Sequence, residues 1–133
     1  MGKYGNAAIS ATNSICNGMD PVEAWNQAIR ELTNSNYSII KGCPKSAFLG
    51  LCEEGYVKGV QKGNYSAGII NKGYALKAVE IIHRTPNRTF TKKELWAQVF
   101  DELGLPFKNE NSQMDVVLSL HNEDLLIRDA SLG

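Results

Sequence analysis

The stretch that decides the fold is Thr91–Gly104, which reads TKKELWAQVFDELG. The Thr91 hydroxyl and the Glu94 carboxylate have the spacing of a capping box, in which each accepts a hydrogen bond from the other residue's backbone N–H. Apolar residues follow at helical spacing: Leu95, Trp96, Val99, Phe100 and Leu103. Gly104 and Pro106 then end the pattern, because glycine accepts a left-handed conformation and proline cannot continue a helix. The stretch predicts one amphipathic helix with Trp96 on its buried face.

A second stretch repeats this pattern earlier in the chain. Glu23–Leu32 (EAWNQAIREL) aligns without a gap with Glu94–Leu103 (ELWAQVFDEL), and five of the ten positions are identical. The shared tryptophan predicts a core position in both helices. The shared row of Glu, Gln and Glu on the other face is more informative, because packing does not require it. We therefore predict an internal duplication.

The alignment extends outward with small gaps. Tyr4 aligns with Tyr74, and Tyr56-Val57 aligns with Leu125-Leu126. The repeats are predicted to cover residues 3–66 and 72–128, each with three helices. A unit of about 60 residues is marginal alone, so we expect the two to pack as one compact unit.

Short β elements are expected between the helices, which makes the predicted fold mainly α with short β elements. The segments with extended character or hairpin spacing are Arg88–Thr91, Leu125–Ile127, Tyr37–Ile40, and Tyr56–Val60 with Tyr65–Ser66 about a turn at Lys62–Asn64.

This order of elements resembles the winged-helix variant of the helix-turn-helix, in two tandem copies. The resemblance implies that the third helix of a repeat enters the major groove of DNA and that the wing touches the backbone. The chain is also similar to small uncharacterised bacterial proteins, a resemblance that implies no activity.

The distribution of charge indicates where a nucleic acid would bind. Formal net charge is zero, but residues 37–77 hold six lysines and two glutamates. The candidate nucleic-acid contacts lie at the start of the third helix and on the wing of the first repeat: Lys41, Lys45, Ser46, Lys58 and Lys62. We expect a non-enzymatic binding module with a nucleic acid or a regulatory protein as partner. An alternative is a protein-interaction adaptor that uses the acidic second repeat.

Thiol chemistry is an alternative from another class. The order Cys43-Pro44-Lys45-Ser46 is similar to the monothiol motif of glutaredoxin-like proteins, and a thiol at a helix N-terminus is activated. The spacing of the cysteines and histidines predicts neither a metal site nor a cofactor. His121 and Cys52, at aligned places, are expected on the inner faces of the third helices.

No apolar run approaches the roughly 20 residues that span a bilayer, and no secretory signal is evident. We therefore expect a cytoplasmic protein with free thiols and no membrane contact. The oligomeric state stays open.

Overall fold

The structure, a computed structural model, describes residues 2–127. Within that range the chain forms seven helices and no strand: α1 (Gly2–Cys16), α2 (Pro21–Leu32), α3 (Asn36–Ile40), α4 (Gly42–Glu53), α5 (Ile69–Arg84), α6 (Lys92–Leu103) and α7 (Gln113–Asn122). None of these helices combines the length and the apolarity that crossing a membrane requires. Residue 128, the predicted end of the second repeat, lies outside the described residues.

Helix α6 confirms the prediction made from its sequence. Thr91 and Glu94 form the capping box, and Gly104 ends the helix in the left-handed region at φ 67°. The Leu105 N–H donates to the Phe100 carbonyl at 3.3 Å, which fastens the chain after the glycine to the last turn. Trp96 is buried, as predicted, and so is Trp25 in α2.

The polar row that α2 and α6 share makes the same contact in both helices. The Gln27 amide donates to Glu31 at 3.1 Å, and the Gln98 amide donates to Glu102 at 2.9 Å. Arg84 also donates to Glu102, and the hydrogen bonds from Arg84 and Gln98 lower the pKa of Glu102 to about 2. The two helices therefore share the Gln–Glu contact that their common sequence produces at i, i+4, and Arg84 is an additional partner of Glu102 alone.

The two halves of the chain exchange their first helices in the sense that each also packs against the other half, while α1 keeps its contact with α2 and α5 keeps its contacts with α6 and α7. Helix α1 packs against α7 of the second half, α5 packs against α4 of the first half, and α4 and α7 pack against each other. The whole of Gln113–Leu120 in α7 and of Ala47–Cys52 in α4 is buried. Helices α4 and α7, which correspond to the predicted third helices of the two repeats, are therefore the centre of the fold. The other helices surround them.

A single antiparallel bridge joins the halves on one side of this centre. It pairs Val57 with Leu126. The Lys58 N–H donates to the Leu125 carbonyl and the Ile127 N–H donates to the Tyr56 carbonyl, both at 2.8 Å. Aligned residues of the two halves therefore exchange these hydrogen bonds, and the bridge is locally twofold.

The predicted β elements are wrong. Tyr37–Ile40 belongs to α3, which Ser35 caps through its hydroxyl. Residues 56–66 form no hairpin, because the Glu53 carboxylate accepts from the Tyr65 and Ala67 N–H groups at 2.7 and 3.3 Å. Arg88–Thr91 forms no strand, and Leu125–Ile127 contributes only the bridge.

Glu53 holds the segment between the halves in place. It also binds the Lys72 ammonium at 2.9 Å. Burial alone would raise its pKa, but Lys72 and the two backbone N–H groups outweigh burial, and the pKa of Glu53 is lowered. A carboxylate therefore organises the stretch in which the sequence predicted a wing.

The winged-helix architecture is wrong as well. A winged helix exposes its third helix, whereas α4 and α7 are buried at the centre of this fold. The physical reason lies in their composition, because a helix that is apolar on nearly all sides must be covered on nearly all sides. The stretches AFLGLC in α4 and MDVVLSL in α7 have that character.

Candidate functional site

An apolar groove of about 510 Å³ opens between α5, α6 and the loop that follows α6. Its floor is formed by Tyr74 and Phe100, which are largely buried. Its sides are formed by exposed apolar residues: Ile69, Ile70, Leu103 and Leu105. Ile69 is 84% exposed and Ile70 is 66% exposed, so large aliphatic side chains face water at one place.

The loop after α6 shapes one side of this groove. The Trp96 indole N–H donates to the Lys108 carbonyl at 2.6 Å, which draws the loop onto α6. The ring of Phe107, itself 64% exposed, lies 5.8 Å from the Phe100 ring. The loop thus adds apolar residues to the rim, and the groove stays open above Tyr74.

Exposed apolar residues are concentrated at this groove. The described part of the chain has eight large apolar side chains that are exposed, and five of them line the groove or stand at its rim. A contiguous exposed apolar patch is unfavourable in water and marks an interaction site more often than scattered single residues do.

Lys108 is the charged residue of the groove. The other lining residues are apolar or aromatic, apart from Gly73. Within residues 2–127, Lys108 makes no ion pair, whereas nearby Lys72 and Lys77 are paired with glutamates. The groove therefore combines apolar sides with one positive charge available to a ligand.

The predicted nucleic-acid residues do not form one cluster. Lys41 and Lys45 lie at the beginning of α4, and Lys58 and Lys62 lie beyond its end. Helix α4, twelve residues and about 18 Å long, separates Lys41 at its N-terminus from the segment after its C-terminus that holds Lys58 and Lys62.

Two of these residues already have partners. The Lys41 ammonium lies 5.2 Å from the centre of the Tyr4 ring, and the Ser46 hydroxyl accepts from the Gly68 N–H at 3.0 Å. Nucleic-acid binding through the four lysines and Ser46 stays a prediction. A salt-dependent mobility shift would test it.

The comparison with protein families places the chain. A family model for DUF6979, described as a family of unknown function, matches residues 1–127. The chain belongs to DUF6979. No curated protein and no solved structure matches it significantly.

The cysteines and histidines of this DUF6979 chain lie at separate places in the fold. Cys43 is half-buried in the first turn of α4 and follows α3, whereas the glutaredoxin-like motif follows a strand. Cys52 is buried as expected, and burial raises the pKa of its thiol. His121 is exposed, so its expected place on the inner face of α7 is wrong. Thiol chemistry at Cys43 stays a prediction.

Sequence reasoning missed the groove of this DUF6979 chain. The signal for it was the position of Ile69-Ile70, which precede the apolar stripe of α5 and do not belong to it. A second signal was the apolar pair Leu105 and Phe107 in a connection that is otherwise polar. Helix α5 begins at Ile69, three residues before residue 72, where the second repeat was predicted to start, and this places both isoleucines on its first turn.

Proposed function

We propose that this DUF6979 chain is a non-enzymatic binding module whose second half takes up a protein partner in the apolar groove. The observation that carries the proposal is the concentration of five exposed large apolar side chains at one groove of about 510 Å³. Covering such side chains contributes about 25 cal/mol per Å² of apolar surface removed from water.

The chemistry of the lining favours a protein over a small substrate. Substrate pockets place several convergent polar groups against the ligand. Lys108 is the one charged residue of the lining, and Tyr74 is the one lining residue with a side-chain hydroxyl. Such a surface suits an apolar side-chain cluster of a partner. It favours protein binding by the second half, through an apolar groove and not through the acidic surface of the adaptor hypothesis.

Selection from a displayed library of unconstrained linear peptides tests this function. We expect selected peptides to bind the wild-type chain, and Ile70→Asp to weaken their binding at least about tenfold, because a carboxylate would be desolvated against apolar groups. Ile40→Asp is the matched control, since Ile40 is 78% exposed and lies on α3, outside the groove. It should change the affinity less than about twofold.

The protein-binding proposal is wrong if no peptide is selected, or if the selected peptides bind both variants equally well. Both substitutions are at exposed positions, so neither variant should differ from the wild type in thermal unfolding. That measurement shows that a loss of binding is local.

A further inference from the structure

The same connection has different conformations in the two halves. Residues 33–41 join α2 to α4, and residues 104–112 join α6 to α7; each connection has nine residues. The first contains α3, whereas the second contains no helix. The two connections therefore have equal lengths and different conformations.

In the first half, α3 lies over Tyr4. The Tyr4 hydroxyl donates to the Ser38 carbonyl at 3.3 Å, and the Lys3 ammonium donates to the Ser38 hydroxyl at 2.7 Å. Ser38 is buried, and Ile39 packs against the core. A short helix thus covers the tyrosine of this half and satisfies its hydroxyl.

In the second half, the connection accepts a hydrogen bond from the tryptophan indole and not from the tyrosine hydroxyl. The Lys108 carbonyl accepts from Trp96, whereas the aligned Trp25 indole N–H has no acceptor among the described residues. Tyr74, which aligns with Tyr4, lines the groove. Within residues 2–127 the Tyr74 hydroxyl has no hydrogen-bond partner. The floor of the groove at Tyr74 therefore corresponds to the surface that α3 covers at Tyr4 in the other half.

We propose that the groove receives a short amphipathic helix from a partner protein, seated on Tyr74 as α3 is seated on Tyr4. This inference rests on the proposed function and specifies its partner. The Tyr74 hydroxyl donates to a backbone carbonyl of that helix. Its apolar side chains, spaced i, i+3, i+4 and i+7, contact Ile70 and Leu103. An acidic side chain beside them pairs with Lys108.

The chain's own connection is not free to take this place. Its Lys108 carbonyl is held by Trp96, its Glu110 carboxylate accepts from the Met114 N–H at 2.9 Å, and its Asn111 N–H donates to Gln113 at 2.7 Å. These hydrogen bonds fasten residues 104–112 to both flanking helices. Moving the connection over Tyr74 would break them.

A second copy of the chain is a poorer occupant than an acidic partner helix. The short helix that a copy could offer is α3, whose outer face exposes Tyr37 and Ile40. Residues 33–41 contain no acidic residue, and Lys41 is basic. Charge complementarity with Lys108 therefore favours a partner of another sequence, with an Asp or Glu beside its apolar face.

Two matched peptide libraries, displayed against the full chain, test whether the occupant is helical. One is an alanine-based helical scaffold of about 14 residues that carries one glutamate and varied apolar residues at i, i+3, i+4 and i+7. The other is identical except for a central proline, which breaks the helix. We expect binders that depend on Ile70 to come from the helical library and to lose at least about tenfold in affinity when proline is introduced.

Binders that tolerate proline without loss would overturn the helical occupant. So would a dimer of the wild-type chain, seen by sedimentation and dissociated by Ile70→Asp, because a second copy would then fill the groove. Failure of both scaffold libraries, with unconstrained peptides still binding through Ile70, would refute this inference and leave the proposed function standing. Failure of every library would refute both.

Tyr74→Phe tests the seating of the helix, and Tyr4→Phe is its matched control. Tyr74→Phe should weaken binding of a helical peptide about threefold to tenfold, because it removes one hydrogen bond to the ligand. Its thermal unfolding should stay unchanged. Tyr4→Phe should leave the affinity unchanged and should lower the unfolding temperature, because the buried Ser38 carbonyl loses its donor. Unchanged binding of Tyr74→Phe would contradict the seating.

Discussion

Replacing Trp96 with alanine is expected to lower the free energy of unfolding by about 3–5 kcal/mol. The side chain is 2% exposed, and its ring lies 5.2 Å from the Tyr74 ring and 4.7 Å from the Phe100 ring. Truncation leaves a cavity beneath the groove and removes the donor that holds the Lys108 carbonyl. Chemical denaturation followed by circular dichroism measures the loss.

Two conservative variants separate the hydrogen bond from the packing. Trp96→Phe removes the indole N–H that Lys108 accepts, whereas Trp25→Phe removes an N–H without an acceptor in the described chain. We expect Trp96→Phe to cost about 1 kcal/mol more than Trp25→Phe. Equal losses would show that the indole N–H does not stabilise the loop after α6.

Gly50→Val is expected to lower the free energy of unfolding by about 2–3 kcal/mol through overpacking. A Cβ at Gly50 would lie 2.7 Å from the Lys72 Cβ and 3.0 Å from the Lys72 Cα. Those atoms belong to or adjoin the backbone of α5 and cannot move without the helix. The substitution would therefore push α5 away from α4, the contact through which the halves exchange helices. Urea denaturation measures the change.

Gly73→Ala is the control for Gly50→Val. Gly73 lies within α5, and a Cβ there would meet no atom within 4 Å. Alanine should stabilise the chain by about 0.5–1 kcal/mol, because it has the higher helix propensity. If Gly50→Val were as well tolerated as Gly73→Ala, the close approach of α4 and α5 would be contradicted.

Local chemistry made part of this fold predictable. The capping box of Thr91 and Glu94, the left-handed Gly104 and the cap of α2 at Asp20 all depend on residues within one helical turn. The Glu, Gln and Glu row that Glu23–Leu32 shares with Glu94–Leu103 makes the same Gln–Glu contact in both helices. These features need no knowledge of the rest of the chain.

The arrangement of the helices was not predictable in this way. Helix α1 packs against α7 and α5 packs against α4, so each of these contacts joins the two halves. Helical periodicity shows which face of a helix is apolar, but it does not show which other helix will pack against that face. Tyr37–Ile40 has the composition of a strand, but the Ser35 cap and the contact between Tyr4 and Ser38 place it in a helix. Tertiary contacts outweighed propensity there.

The groove escaped prediction for a related reason. In the sequence, Ile69 and Ile70 lie between the two predicted repeats. They form one side of the groove only because α6 lies beside them. The groove is open because residues 104–112 form no helix, whereas residues 33–41 contain α3. The two connections have equal lengths, so the alignment gives no sign of this difference in conformation.

Methyl chemical-shift mapping tests most directly whether this groove binds a helix. The chain would carry labelled isoleucine and leucine methyl groups and would be titrated with the tightest binder from the helical library. We predict saturable shifts at Ile69, Ile70 and Leu103, and none at Ile40, which lies on α3 away from the groove. Shifts at Ile40 without shifts at Ile69 and Ile70, or no shifts at saturating peptide, would contradict the groove as the binding site.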